Sequence, residues 1–90
     1  MIEKYGRKGT EFNGVFFTEG TISDAKHLGD ISEISNRQNV SLDEFKKVIA
    51  ARVTSMGGNA VDNFNYVQQG TVFSFSSTRW KVTGRILLVN

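Results

Sequence analysis

The spacing of apolar residues along this chain changes sharply at Gly57-Gly58, and that change limits the folds available to it. Before the two glycines, apolar residues recur every three or four positions, as on one face of a helix: Phe45, Val48, Ile49, Val53 and Met56. After them, apolar and polar residues alternate, as they do along strands. The pattern predicts a helix over residues 41–56, followed by strands whose short connections favour antiparallel pairing.

Both ends of the predicted helix carry the residues expected there. Ser41 and Glu44 have the spacing of a capping box, and Val40 and Phe45 have that of a hydrophobic staple. Gly57 can adopt the left-handed conformation that commonly ends a helix. Three basic residues off the apolar stripe are expected in solvent: Lys46, Lys47 and Arg52.

Three strands are predicted after the helix. The first covers 59–67, with Ala60, Phe64 and Tyr66 on one face, and a turn is expected over 68–70. The second covers 71–76 and is joined by residues 77–78 to a third strand over 79–89. The third strand should turn its apolar residues towards the helix and its basic residues away, the apolar ones being Trp80, Val82, Ile86 and Leu88 and the basic ones Arg79, Lys81 and Arg85.

The first 40 residues have a weaker pattern. A strand is predicted within 12–22 and a short one over 29–34, followed by a polar loop over 35–39. His27 is expected in a loop beside Asp24 and Asp30. No clear pairing partner emerges for this half, and a long irregular stretch is unusual inside a compact domain.

The chain is therefore predicted to be one α+β domain spanning residues 1–90. A single helix packs on an antiparallel sheet in two layers, as a β-α-β-β core with extra N-terminal strands. A domain of 90 residues buries only about 60% of its unfolded surface. Since no cysteine is present to staple so small a core, a homo-oligomer is expected.

Composition excludes several classes of protein. Without cysteine, neither disulfide scaffolds nor thiolate zinc sites can form, and His27 is the only imidazole, so no metal site or cofactor is expected. The longest purely apolar run, 86–89, is far shorter than the roughly 20 residues of a membrane span, and no apolar segment follows the N-terminal charges. A cytoplasmic protein without a membrane partner is expected. It is not expected to be an enzyme, since no nucleophile elbow, phosphate loop or dinucleotide turn is present.

The segment Met56-Gly57-Gly58-Asn59-Ala60-Val61 resembles the YbjQ-like family, whose helix runs into a Leu-Gly-Ala-Asn-Ala-Val motif. Gly84-Arg85-Ile86-Leu87 stands where that family has Gly-Thr-Ala-Val, so the glycine and the apolar character match. Residues 19–22 and 28–29 are similar to its N-terminal glycine-bearing strand. The resemblance covers about 70 residues and is stronger over 41–90.

This resemblance implies a β-α-β-β core whose extra short strands join neighbouring subunits in a ring, commonly a pentamer. The family is often labelled heavy-metal-binding, which the lone His27 does not support here. The residues that match or occupy the motif positions are interpreted as structural: Gly57, Gly58, Asn59, Ala60, Val61 and Gly84.

Three functions remain open. The first is a ring-forming binding or assembly module without catalysis. The second is a small-molecule binder whose ligand lies between subunits against Tyr66 or Trp80. The third is a single-stranded nucleic-acid binder that uses the basic strand 79–85 together with Phe73, Phe75 and Trp80. Alternation weighs against the third function, because it places the rings and the basic side chains on opposite faces.

Overall fold

The computed structural model describes residues 1–35, 41–71 and 74–90, with the side chains of 69–78 left out. Within these residues one helix accompanies one six-stranded sheet. The elements are β1 (Ile2–Lys4), β2 (Arg7–Phe12), β3 (Val15–Thr18), β4 (Lys26–Ile34), α1 (Leu42–Ser55), β5 (Ala60–Thr71) and β6 (Ser74–Leu88). The strand order is β1-β2-β3-β5-β6-β4. The predicted α+β class is confirmed, although the sheet contains one parallel pair, β3 with β5.

Helix α1 begins and ends as predicted. The N–H of Glu44 donates to Ser41 Oγ at 3.1 Å, and Gly57 follows the C-cap Met56 with a φ of 84°. The staple residue Val40 lies outside the described residues. In the described part of the chain, no helix is long and apolar enough to cross a membrane.

The buried face of α1 differs from the predicted stripe. Lys46 is only 8% exposed, whereas Val48 is 65% exposed. Phe45, Ile49 and Val53 are buried as predicted. The buried face extends from them towards Lys46 and Ala50, which pack against the sheet, and not towards Val48. The expectation of a solvated Lys46 was therefore wrong.

Two long strands, not three, follow the helix. β5 runs through the predicted turn at 68–70, and β6 runs through the predicted connection at 77–78. Gln68 pairs with Trp80 and Gly70 with Thr78, so ladder hydrogen bonds hold polar residues whose local preference is for turns. Thr71 pairs with Ser74, and residues 72–73 of the predicted second strand lie outside the described part of the chain.

A β-bulge in β5 changes which residues face the helix. The register passes from Asp62 opposite Arg85 to Asn65 opposite Thr83, which leaves one extra residue in β5. Val61 and Phe64 consequently both join the core under α1, while Ala60 lies in a second cluster on the other face. Ala60 and Phe64 were predicted to share a face, and the bulge is the reason that they do not.

Among the described residues, every strand of the N-terminal half pairs within the chain, although no clear pairing partner was predicted for this half. Two tight turns, Tyr5-Gly6 and Asn13-Gly14, have positive φ at both residues, as in the type I′ turns of hairpins. The Asn13-Gly14 turn interrupts the predicted 12–22 strand. Together the two turns join β1, β2 and β3 into a meander. β4 pairs antiparallel with β6 and includes His27, which was expected in a loop.

Both faces of the sheet are covered near its centre. On the helix face, α1 covers a core that includes Phe17, Val61 and Phe64. On the outer face, the segment 19–25 between β3 and β4 brings Ile22 and Ala25 against a smaller cluster: Phe16, Ala60 and Leu87.

Replacing Gly57 by valine should destabilise the fold, because a β-branched residue is strained at a φ of 84°. We expect a loss of about 1–3 kcal/mol in the free energy of unfolding, measured by urea denaturation. Gly57→Asn is the control, since asparagine tolerates left-handed backbone, and it should lose much less. Equal losses in the two variants would show that backbone strain is not the cause.

Candidate functional site

The motif residues at the helix exit form a tightly packed corner. The side-chain amide of Asn59 donates to the carbonyl of Val89 at 2.8 Å, and the N–H of Val89 donates back to Asn59 Oδ1 at 2.8 Å. A Cβ at Gly58 would lie 2.9 Å from the carbonyl oxygen of Leu87. The side-chain amide of Asn59 therefore ties the residue that follows β6 to the exit of the helix.

The other motif residues lie around the bulge. Ala60 and Val61 have no exposed surface, one on each face of the sheet. A Cβ at Gly84 would lie 2.9 Å from Val61 Cγ1 and 3.2 Å from the carbonyl oxygen of Asp62. Gly84 thus allows β6 to approach the bulged strand closely, and these three positions offer packing rather than a surface for a ligand.

An ion pair that the sequence interpretation missed holds the outer face. Arg85 donates to the fully buried Asp62 through Nε at 2.8 Å and Nη2 at 2.6 Å, and the N–H of Ile22 donates to the same carboxylate at 2.9 Å. Burial alone would raise the pKa of Asp62, but these donors outweigh it and hold the pKa below its ordinary value of 3.8. The pair thereby links the 19–25 segment to both long strands.

His27 lies on β4 with Nε2 2.8 Å from Asp30 Oδ1, and both side chains are well exposed. Across the described ranges, no cluster of three or more histidine, aspartate or glutamate side chains could hold a metal ion.

The predicted seam residues Tyr66 and Trp80 are brought together by the β5–β6 hairpin. Their ring centroids are 5.9 Å apart in an edge-to-face arrangement, and Tyr66 also contacts Phe64 at 5.7 Å. Tyr66 is 38% exposed, and Trp80 packs partly against the core under α1. The pair therefore forms the outer end of a row of aromatic rings that begins in the core.

The basic side chains of the predicted strand 79–85 do not form one common patch. Arg79 and Lys81 are exposed, whereas Arg85 is bound to Asp62. Phe73 and the side chain of Phe75, the other members of the proposed nucleic-acid platform, lie outside the described part of the structure.

A pocket of about 280 Å³ lies beside Lys46, between the helix and strands β2, β3 and β5. The ammonium of Lys46 donates to Thr10 Oγ1 at 3.0 Å and lies 5.3 Å from the ring centroid of Phe64. The rings of Phe12 and Phe17 are at 5.7 Å and 5.9 Å. A cation thus sits in a largely aromatic environment at the wall of an open pocket.

Burial lowers the pKa of Lys46 below its ordinary value of 10.5, although the carboxylates of Asp43 and Glu19 act in the opposite direction. Within the described residues, no carboxylate forms a salt bridge with the ammonium of Lys46. The sequence could not indicate the site, because Lys46 differs from the exposed Lys47 only in how the helix is rotated on the sheet.

No protein-family model matches the chain, and no curated protein is similar to it. A solved structure of similar fold is a crystal structure of a protein of unknown function from Pediococcus pentosaceus, which belongs to the DUF74 family. The two share 15% sequence identity over 87% of this chain and 100% of that chain, with a TM-score of 0.67. The similarity shows the fold. DUF74 is the family also called YbjQ-like.

Removing either partner of the outer-face ion pair should destabilise the protein, and unequally. Arg85→Met leaves the buried Asp62 charge without its guanidinium and should cost about 3–5 kcal/mol. Asp62→Asn keeps an acceptor for the N–H of Ile22 and leaves a partly exposed arginine, so it should cost less. Urea denaturation at neutral pH measures both, and the reverse order would contradict the arrangement described.

The same carboxylate predicts a dependence of stability on pH. Because the pKa of Asp62 is lower in the folded chain than in the unfolded chain, its contribution is complete above the unfolded value of 3.8. The contribution is lost as the pH falls through the lower folded value. The stability difference between the wild type and Asp62→Asn should therefore shrink in acid.

Replacing Lys46 by methionine should stabilise the fold. Methionine keeps contact with the aromatic rings without burying a charge, and we expect a gain of about 1 kcal/mol at neutral pH. The gain should shrink as alkaline pH passes through the lowered pKa of Lys46 towards 10.5, because the wild-type amine then becomes neutral. Lys47→Met makes the same change on the exposed face of α1 and should leave the melting temperature unchanged.

Proposed function

We propose that this protein is a cytoplasmic, self-assembling module of the YbjQ-like type, whose subunits join into a ring through the free edge of β5. The observation that carries the proposal is that, among the described residues, much of β5 has a strand neighbour on one side only. The proposal involves no catalytic step.

The free edge arises because β3 is much shorter than β5. β3 pairs with β5 only at Phe16 with Ala60 and at Phe17 with Val61, and the N–H of Asn63 then donates to the carbonyl of Gly20. Beyond this point, among the described residues, β5 pairs only with β6. No strand of the described residues therefore covers the other side of β5 from Phe64 to Thr71, and we call this side the free edge of β5.

The sequence of this edge lacks the usual protection against pairing. From Asn63 to Thr78 the chain contains no charged residue and no proline, both of which natural sheets place on exposed edges. Tyr66 and Val67 are 38% and 49% exposed. β4, at one end of the sheet, instead has three charged residues: Lys26, Asp30 and Glu33. The contrast supports β5 as the edge that pairs.

The end of the β5–β6 hairpin has no strand neighbour on either side among the described residues. β4 reaches β6 only as far as Lys81, followed by a hydrogen bond from the N–H of Ser35 to the carbonyl of Trp80. The molecule measures 46 × 24 × 18 Å. A two-stranded ribbon is marginally stable in water, so contact with another subunit would stabilise this arm.

A second copy of the chain is the occupant we infer for this edge. A strand edge binds another strand through main-chain hydrogen bonds, and a head-to-tail contact that repeats with rotation closes a ring. The resemblance to the YbjQ-like family implies a pentamer, and a core of this size favours burial between subunits.

A second candidate function is a ligand site in the seam between subunits. It is favoured by the Tyr66–Trp80 ring pair, since Tyr66 lies on the free edge and remains partly exposed. A planar molecule could stack there once a neighbour closes the site. Nucleic-acid binding has less support, because Arg85 is engaged by Asp62.

Placing a charge on the free edge should separate the subunits. Wild-type protein at micromolar concentration should show, by light scattering, a multiple of 10.0 kDa, and five-fold for the pentamer. Val67→Lys introduces a charge in the middle of the edge, which would have to be desolvated in the paired sheet, and should give the monomer mass.

Val48→Lys is the matched control, because Val48 is exposed on α1, away from the edge. It should keep the wild-type mass. A monomeric wild type would overturn the proposal of assembly. Dissociation by Val48→Lys but not by Val67→Lys would move the interface from β5 to the helix.

A further inference from the structure

The Lys46 amine is placed as a binding group rather than as a structural one. Lys46 is only 8% exposed, and it is one of the residues that line an open pocket. Its only hydrogen bond to a described residue is the one to Thr10, although an ammonium can donate three. A largely buried ammonium with unused donors, on a residue that lines a pocket, is suited to an anionic partner.

The lining of the pocket is cationic and aromatic. Arg7, Lys8 and Lys46 contribute positive charge, and Glu19 is the one carboxylate among the described lining residues. Thr10 and Thr18 contribute hydroxyl groups, while Phe17, Phe64 and Tyr66 contribute apolar surface. The volume is near the lower end of the range for small-molecule sites.

We propose that this pocket binds a small organic monoanion, a carboxylate with an apolar body. Its carboxylate pairs with the ammonium of Lys46, and its body lies against Phe64 and Tyr66.

Two features select this class of ligand. Phe17, Phe64 and Tyr66 give the lining an apolar surface that a small inorganic anion would not use, which favours an anion with an apolar body. The rings around the ammonium of Lys46 offer no hydrogen-bond donors, and the Thr18 hydroxyl of the lining already donates to the carbonyl of Lys8. A planar carboxylate needs few donors and gains contact with the rings.

The site is formed by residues of one subunit, so it goes beyond the proposed assembly and does not depend on it. Lys46, Thr10 and Phe64 come from α1, β2 and β5 of the same chain. A monomeric protein would retain the pocket.

Sodium benzoate is the probe, and benzamide is its neutral analogue of nearly the same shape. Isotope-labelled protein is titrated with each compound at constant ionic strength, and amide chemical shifts are followed by NMR. We expect saturable benzoate shifts at Thr10, Phe64 and Tyr66, with at least about tenfold weaker binding of benzamide.

Lys46→Met should weaken benzoate binding at least about tenfold, whereas Lys47→Met, the same change one residue away, should leave it unaltered. Equal binding of benzoate and benzamide, undiminished binding by Lys46→Met, or absence of saturation would each overturn the proposal. Should Lys46→Met not fold, the comparison of benzoate with benzamide on wild-type protein decides the question.

Discussion

The extra residue in β5 is the constraint on which the rest of the structure depends. Without it, Val61 and Phe64 would face opposite sides of the sheet, and Phe64 would be lost from the core under α1. The ring contact between Phe64 and Phe17 and the aromatic environment of Lys46 both require Phe64 on that side. The bulge therefore positions the core and the pocket together.

Polar contacts on the outer face hold the bulge in place. The carboxylate of Asp62 accepts hydrogen bonds from the guanidinium of Arg85 on β6 and from the N–H of Ile22. The next residue, Asn63, has a φ of 49°; its N–H donates to the carbonyl of Gly20, and its side-chain oxygen accepts from the hydroxyl of Thr21. An irregular strand and an irregular connection thus satisfy one another's backbone groups. The same connection leaves the sheet after β3, and its departure is what leaves the rest of β5 with a free edge.

The helix and its ends could be predicted from the sequence, because capping and exit chemistry are local to Ser41, Glu44 and Gly57. The hairpin between β2 and β3 was also predictable, since Asn13-Gly14 between apolar residues is a strong turn signal. The bulge was not predictable by alternation, which assumes an unbroken period of two. The burial of Lys46 depends on how α1 is rotated against the sheet, a tertiary property that spacing along one helix does not record.

The parallel join between β3 and β5 has a consequence for the order in which the sheet is assembled. β1, β2 and β3 contact one another through tight turns, and β5 and β6 form a single hairpin, so both units rest on contacts close in sequence. Only two residue pairs link β3 to β5, and closing that link must gather the whole intervening chain, including β4 and α1. Closing this long loop costs more chain entropy than closing any of the hairpins does. We therefore expect the link between β3 and β5 to close after the hairpins on either side of it have formed.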